Sequence, residues 1–138
     1  MRTVQHVVII LTGLGAMAFG GQQGGDTPPA RWEAPAEARA QANPVASSPE
    51  VLAEGKALYQ KNCHLCHGGS GQGDGPATQY VKPAPADISS AAAQAALTDG
   101  GIFWKLTTGR DPMPPFGKKL SERERWVLVN YVRSLKVD

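Results

Sequence analysis

The sequence predicts an all-α fold, because helix signals recur along its second half and strand signals are missing there. Four segments each follow a residue that can cap a helix N-terminus, and glycine and proline are frequent in the connections between them. The last segment also repeats its apolar residues with the period of an α-helix, at Leu128, Tyr131, Val132 and Leu135. No stretch shows the alternating apolar pattern of a convincing strand.

The first helix is predicted to begin near residue 48 and to run into Cys63. Ser47 and Glu50 fit a capping box, in which each residue caps a backbone N–H of the other. Alternatively, Ser48 is the cap and Pro49 occupies the first helical position, where proline is well tolerated. Both alternatives place the cysteine at the end of an amphipathic helix.

Three further helices follow, each with its own start signal. Ser121 and Glu124 form an S-x-x-E capping box before the last helix, which makes its start the clearest of the four. The two middle helices are shorter. Their candidate caps are Ser89 or Ser90 before residues 91–97, and Thr98 or Asp99 before residues 101–106, with Gly109 as the stop.

The N-terminal third of the chain divides into two segments of different composition. Residues 1–19 have the form of a signal peptide, with Arg2 as the positive start and a nearly unbroken apolar run of 13 residues. A membrane span needs about 20 apolar residues, so cleavage is favoured and an uncleaved anchor stays open as the alternative. Residues 20–48, dominated by Gly, Pro, Ala and Gln, are predicted to form a disordered linker. Residues 49–138 are then the single folded domain.

The charge balance argues against a nucleic-acid partner. The chain has 14 Lys and Arg residues against 12 Asp and Glu residues, a formal net charge of +2 at pH 7. Neither sign is gathered into a long block, so the sequence offers no basic surface of the kind that nucleic acid requires.

Cys63-His64-Leu65-Cys66-His67 is the most specific motif in the chain, because C-x-x-C-H is the attachment sequence of c-type haem. Two thiols three positions apart can add to the two vinyl groups of one porphyrin, and His67 can then bind the iron. There are three alternatives: a thioredoxin-like dithiol, half of a zinc site, or a tight disulfide. A thioredoxin-like dithiol would need a βαβ context, and a zinc site would need two more ligands; the sequence offers neither. One covalently bound haem c is the predicted cofactor. Without it so small a domain should fold poorly.

Met113 is the predicted ligand on the opposite side of the iron. Met1, Met17 and His6 lie in the predicted signal peptide, and His64 is confined to the attachment turn. Three neighbouring prolines stiffen the loop around Met113, and a thioether is a suitable ligand for haem iron. A methionine that only fills the core is the alternative.

These features resemble those of the small monohaem class I cytochromes c, and they occur in the same order along residues 51–135. They are Gly55 and Tyr59, the C-x-x-C-H motif, Gly-Asp-Gly-Pro at 73–76, Met-Pro-Pro-Phe at 113–116 and an aromatic-rich last helix. The resemblance implies a cytochrome c fold, in which three to five short helices surround one haem. The first and last helices would cross where Gly55 meets Trp126 or Tyr131. The resemblance also implies that the carbonyl of Pro76 accepts a hydrogen bond from His67.

The predicted function is one-electron transfer, because His67 and Met113 would fill both axial positions of the iron. The chain would then be no enzyme itself; a haem enzyme or gas sensor with a displaceable sixth ligand is the alternative. Segments 85–88 and 102–104 look like cytochromes of bacterial respiratory complexes. The expected partners are redox proteins or a membrane respiratory complex, with no nucleic acid and no small-molecule substrate. The expected location is the periplasm or the outer face of the bacterial inner membrane.

Overall fold

The computed structural model describes residues 32–136, and within this range the secondary structure is helical. The helices are α1 (Ala36–Arg39), α2 (Pro49–Asn62), α3 (His64–His67), α4 (Ala91–Ala96), α5 (Asp99–Thr108) and α6 (Glu122–Ser134), with a 3₁₀ turn at Thr78–Tyr80. This confirms the all-α prediction. The predicted signal peptide lies outside the described residues. None of the helices in the described range is long and apolar enough to cross a membrane.

Side-chain caps account for the starts of the four predicted helices. Ser48 caps α2, with a proline at the first helical position, so the second of the two predicted starts is the one observed. Ser90 caps α4 and Thr98 caps α5. At α6, the hydroxyl of Ser121 accepts the backbone N–H of Glu124, and the Glu124 carboxylate accepts that of Ser121.

The core forms where α2 crosses α6. A Cβ atom on Gly55 would lie 2.7 Å from Cβ of Tyr131 and 3.0 Å from the carbonyl oxygen of Val127, so only glycine allows this approach. The rings of Tyr59 and Tyr131 are 5.2 Å apart, and the Tyr59 hydroxyl donates a buried hydrogen bond to the carbonyl of Gly68. The predicted crossing at Gly55 is confirmed, with Tyr131 as the residue opposite it.

We expect Gly55→Ala to lower the free energy of unfolding by about 1 kcal/mol. Alanine favours a helix by about 1 kcal/mol over glycine, whereas overpacking costs about 1–3 kcal/mol. Urea unfolding of the purified protein measures the difference. Gly69→Ala is the control, because a Cβ at Gly69 meets nothing within 4 Å. A Gly55→Ala protein as stable as the Gly69→Ala protein would contradict the close approach.

Residues 32–48 pack against the domain, which corrects the prediction of a disordered linker for this part of residues 20–48. Ala34 and Ala38 are buried. Helix α1 lies on the first turn of α5, where a Cβ on Gly100 would overlap the carbonyl oxygen of Ala38. Small side chains can therefore pack closely here, although the segment has few large apolar residues. The remainder of the predicted linker lies outside the described residues.

Asn43 fixes the end of this segment on α6. Its amide donates to the carbonyl of Trp126 at 3.0 Å and to Oδ1 of Asn130 at 3.1 Å, and its own Oδ1 accepts the N–H of Val45 at 2.9 Å. Asn43→Ala would remove these three hydrogen bonds and leave the partly buried Asn130 Oδ1 and Val45 N–H without this partner, so we expect the free energy of unfolding to fall by about 1–3 kcal/mol. Equal urea midpoints for Asn43→Ala and the exposed Gln60→Ala would show that the segment is not anchored in this way.

Candidate cofactor site

A cavity of about 460 Å³ opens beside the α2–α3 junction, within the range of about 300–1,000 Å³ that is usual for ligand pockets. Its walls come from helices α2 to α6, from the loop before α4 and from the loop after α5. The apolar side chains among them include Ile88, Leu97, Ile102, Leu106, Phe116 and Val132. Cys63, Cys66, His67 and Met113, which the sequence singles out, all line this one cavity.

The attachment turn places both cysteines on the same wall. Cys63 ends α2 and its carbonyl accepts the N–H of Cys66 at 3.1 Å and that of His67 at 2.9 Å, which closes one helical turn. Behind the turn, the hydroxyl of Thr78 donates to the carbonyl of Cys66 at 3.0 Å. A Cβ on Gly75 would overlap the carbonyl of Leu65. The pentapeptide is thus held from its outer side while its thiols line the cavity.

Burial controls the protonation of two of these groups. It raises the pKa of the Cys63 thiol to about 12, with the charge of Lys119 opposing the shift and Cys66 adding to it. Burial also lowers the pKa of His67. The imidazole is therefore kept neutral near pH 7, which is the form that binds a metal.

The structure shows no hydrogen bond between His67 and Pro76 within residues 32–136. Pro76 is exposed, does not line the cavity, and its carbonyl accepts a long bond of 3.4 Å from the Gln79 amide. The backbone that raises the pKa of His67 belongs to Ala86, on the loop that runs back along the cavity to Ile88. The hydrogen bond from His67 to the carbonyl of Pro76 therefore stays a prediction. Nδ1 of His67 is buried and makes no hydrogen bond within residues 32–136.

The loop around Met113 is fixed at both ends. Gly109 ends α5 with a φ of 62°, and a Cβ there would lie 2.5 Å from the backbone nitrogen of Pro115. Arg110 and Met113 exchange two backbone hydrogen bonds, of 2.9 and 2.8 Å. Phe116, which is buried, donates its N–H to a carbonyl of α5 at 2.8 Å. The half-buried Met113 side chain is held at the cavity wall as a result.

Three further cavity residues were missed by the sequence analysis. Trp32 lies in the predicted linker, and Lys105 and Arg110 lie on α5 and just after it. The Nζ atom of Lys105 is 4.8 Å from the centroid of the Trp32 ring, and the Arg110 guanidinium is 5.1 Å from it. A tryptophan within a segment otherwise rich in small residues was the one available signal for this contact.

The donor set suits a flat, largely apolar metal complex with two covalent attachment points. Two thiols can form thioethers, a neutral imidazole and a thioether sulphur can ligate iron, and the surrounding walls are apolar. Nδ1 of His67 and Oδ1 of Asn62 are buried atoms at this cavity that have no partner among the described residues. The residues present therefore fit a c-type haem.

Comparison with known proteins agrees with this fit. Residues 50–132 match the family model for "Cytochrome C oxidase, cbb3-type, subunit III". Over 78 residues the chain is 30% identical to cytochrome c6 of Alaria esculenta. The aligned residues make up 56% of this chain and 84% of that protein. The matched range of the family model contains both the pentapeptide and Met113.

Two solved structures are also similar. One is the Kuenenia stuttgartiensis reducing HAO-like protein complex Kustc0457/Kustc0458, with a TM-score of 0.60 and 30% identity over 68% of this chain and 47% of that chain. The other is the KustC0563 c-type cytochrome, with a TM-score of 0.54 and 30% identity over 60% of this chain and 98% of that chain. The chain thus spans about half of the chain from the complex and nearly all of KustC0563.

Proposed function

Because the chain belongs to the cytochrome c family, with the cbb3-type subunit III group as its matching family, we propose that it is a one-electron carrier. Cys63 and Cys66 hold one haem c through thioether bonds. His67 and Met113 are the two axial ligands of its iron. The observation that carries this proposal is the apolar cavity that all four side chains line together.

Each residue has a distinct part in this function. The bound haem supplies a reversible one-electron couple between ferrous and ferric iron. Burial keeps the imidazole of His67 neutral, and the stiff loop presents the sulphur of Met113 with little loss of entropy. A thioether ligand favours the ferrous state and so raises the reduction potential. The apolar walls exclude water from the iron.

The cavity supports a carrier better than a haem enzyme. A peroxidase-like activity needs an open iron position and an acid–base group beside it. Among the cavity-lining residues that the structure describes, His67 is the only histidine, and it is assigned to the iron itself. A gas sensor needs a sixth ligand that leaves readily, and Met113 is held in a loop fixed at both ends.

The setting we propose is the periplasm or the outer face of the bacterial inner membrane. The signal-like residues 1–19 and the covalent haem support this location, because the attachment of c-type haem takes place outside the cytoplasm. One structural neighbour belongs to a protein complex, which supports redox proteins as partners and a place within, or docked to, a respiratory assembly.

Purified protein tests the proposal directly. One haem per chain should resist extraction by acidified acetone, and a redox titration should give a reversible one-electron curve. Extraction of the haem would contradict covalent attachment through Cys63 and Cys66. A haem that stays bound but does not cycle reversibly would contradict the carrier function.

A further inference from the structure

Among the described residues, Trp32 is the only one outside the matched domain that lines the cavity proposed to hold the haem. Every other lining residue in this part of the chain falls between Tyr59 and Val132, within the residues 50–132 that match the family model. Trp32 belongs instead to the N-terminal segment of residues 32–48. The cavity wall is therefore completed by a side chain that the matched domain does not supply.

Contacts outside the cavity hold the segment that carries Trp32. A Cβ atom on Gly101 would lie 3.9 Å from Cβ of the buried Ala34, so the backbone just after Trp32 packs against the start of α5. Farther along the segment, Asn43 is hydrogen-bonded to α6. The backbone next to Trp32 is thus positioned by the surface of the domain, and it places the indole at the cavity.

The indole of Trp32 is held beside α5 and the loop after it. The rings of Trp32 and Trp104 are 6.3 Å apart and tilted by 55°. Nζ of Lys105 lies 4.8 Å from the centroid of the Trp32 ring and the guanidinium of Arg110 lies 5.1 Å from it, within the range of cation–π attraction. Trp32 is only half-buried, so it lies between the cavity and the solvent. The indole therefore covers a fixed part of the cavity edge.

A cover at this edge acts on the iron through water. Ferric haem carries one more positive charge than ferrous haem, and water stabilises the more charged form. Apolar surroundings that exclude water favour the ferrous state, so solvent access helps to set the reduction potential of a metal site. A tryptophan buries about 150–250 Å², and its removal would open the cavity to water.

We propose that Trp32 closes the haem cavity at the side of α5, and that this exclusion of water raises the reduction potential of the carrier. This role rests on the proposed attachment of one haem at Cys63 and Cys66. The four proposed haem donors all lie within the matched domain, so Trp32 sets the potential without taking part in ligation. The N-terminal segment then tunes the redox function of a domain that it precedes in sequence.

Reduction potentials of the haem-loaded variants test this role. Trp32→Ala should lower the reduction equilibrium constant roughly three- to tenfold, where tenfold is 59 mV for one electron. Trp32→Leu keeps an apolar side chain at the cavity but has no π-system to attract cations, so it should retain most of the constant. Tyr80→Ala is the matched control and should leave the constant unchanged, because it removes an aromatic side chain that is 81% exposed and does not line the cavity.

The two Trp32 variants separate the exclusion of water from other effects of the ring. A constant as low in Trp32→Leu as in Trp32→Ala would show that the ring acts through the neighbouring cations, and would overturn its role as a cover. A Trp32→Ala protein with a lower urea midpoint but the wild-type potential would show that the indole only packs. That result would overturn the role as well.

Nuclear magnetic resonance of the reduced wild-type protein tests the placement of Trp32 without any variant. Protons of the Trp32 indole should show nuclear Overhauser contacts to protons at the periphery of the haem. The absence of such contacts in a protein that holds its haem would overturn the proposed cover, whatever the variants do to folding.

Haem content keeps this test separate from the proposed function. The pyridine haemochrome spectrum counts covalent haem in each preparation. Wild-type protein without covalent haem would overturn the proposed function. Full haem content, with equal potentials for wild type, Trp32→Ala and Tyr80→Ala, would overturn only the role of Trp32.

Discussion

Replacing Cys63 and Cys66 together with alanine should leave most of the chain unfolded at 25 °C. Without its cofactor the domain would contain an apolar cavity of about 460 Å³. At about 24 cal/mol per Å³, leaving such a cavity empty would cost up to about 11 kcal/mol. That is as large as the whole stability of a typical domain, about 5–15 kcal/mol. Collapse of the walls would reduce this cost only by disrupting the packing around α2 and α6.

Circular dichroism and urea titration of the double variant measure this loss. Leu65→Ala is the matched control, because it changes the same pentapeptide at a residue that is 54% exposed and carries no thiol. The control should keep its haem and its urea midpoint. A haem-free double variant that unfolds cooperatively at the wild-type midpoint would show that the core does not depend on the cofactor.

Met113→Leu should lower the reduction potential by on the order of 100 mV, part of the span of about 0.8 V over which axial ligands set haem potentials. Leucine and methionine have similar volumes, so packing in the loop should change by less than about 1.5 kcal/mol in stability. The loss of sulphur removes the ligand that favours ferrous iron. The oxidised variant should also lose the weak far-red absorption band of the methionine–iron bond.

The variants around Met113 separate ligation from packing. Met113→Ala should lose the same band and also be less stable, because it removes a half-buried side chain that packs against the hydrophobic core. Val81→Ala removes an apolar group from the cavity wall without touching a proposed ligand, and should keep the band. A Met113→Leu protein with the wild-type band and potential would show that the sulphur does not bind iron.

The helices and the residues of the cofactor site could be predicted because their signals are local. Caps such as Ser48 and Ser121 satisfy backbone N–H groups within one turn, so a few residues define each helix start. The proposed haem donors were also identifiable from short motifs. The structure brings them to one cavity, and the confirmed crossing at Gly55 required only that two helices meet at a residue without a side chain.

The parts that were missed depend on contacts between distant segments. Residues 32–48 have the composition of a disordered linker. They are ordered because α1 packs closely against α5 at Gly100, which has no side chain to keep the two helices apart. The backbone of Ala86 comes close enough to His67 to raise its pKa because the chain returns along the cavity. Neither contact has a signal in its own stretch of sequence.

The binding of carbon monoxide to the reduced native protein tests the central claim most directly, because only an iron with a free or readily displaced position takes up the gas. With His67 and Met113 both bound, the absorption spectrum of the reduced protein should stay unchanged when carbon monoxide is added at neutral pH. The Met113→Ala protein should bind the gas at once and serve as the positive control. Rapid binding by the native protein would contradict the six-coordinate electron carrier.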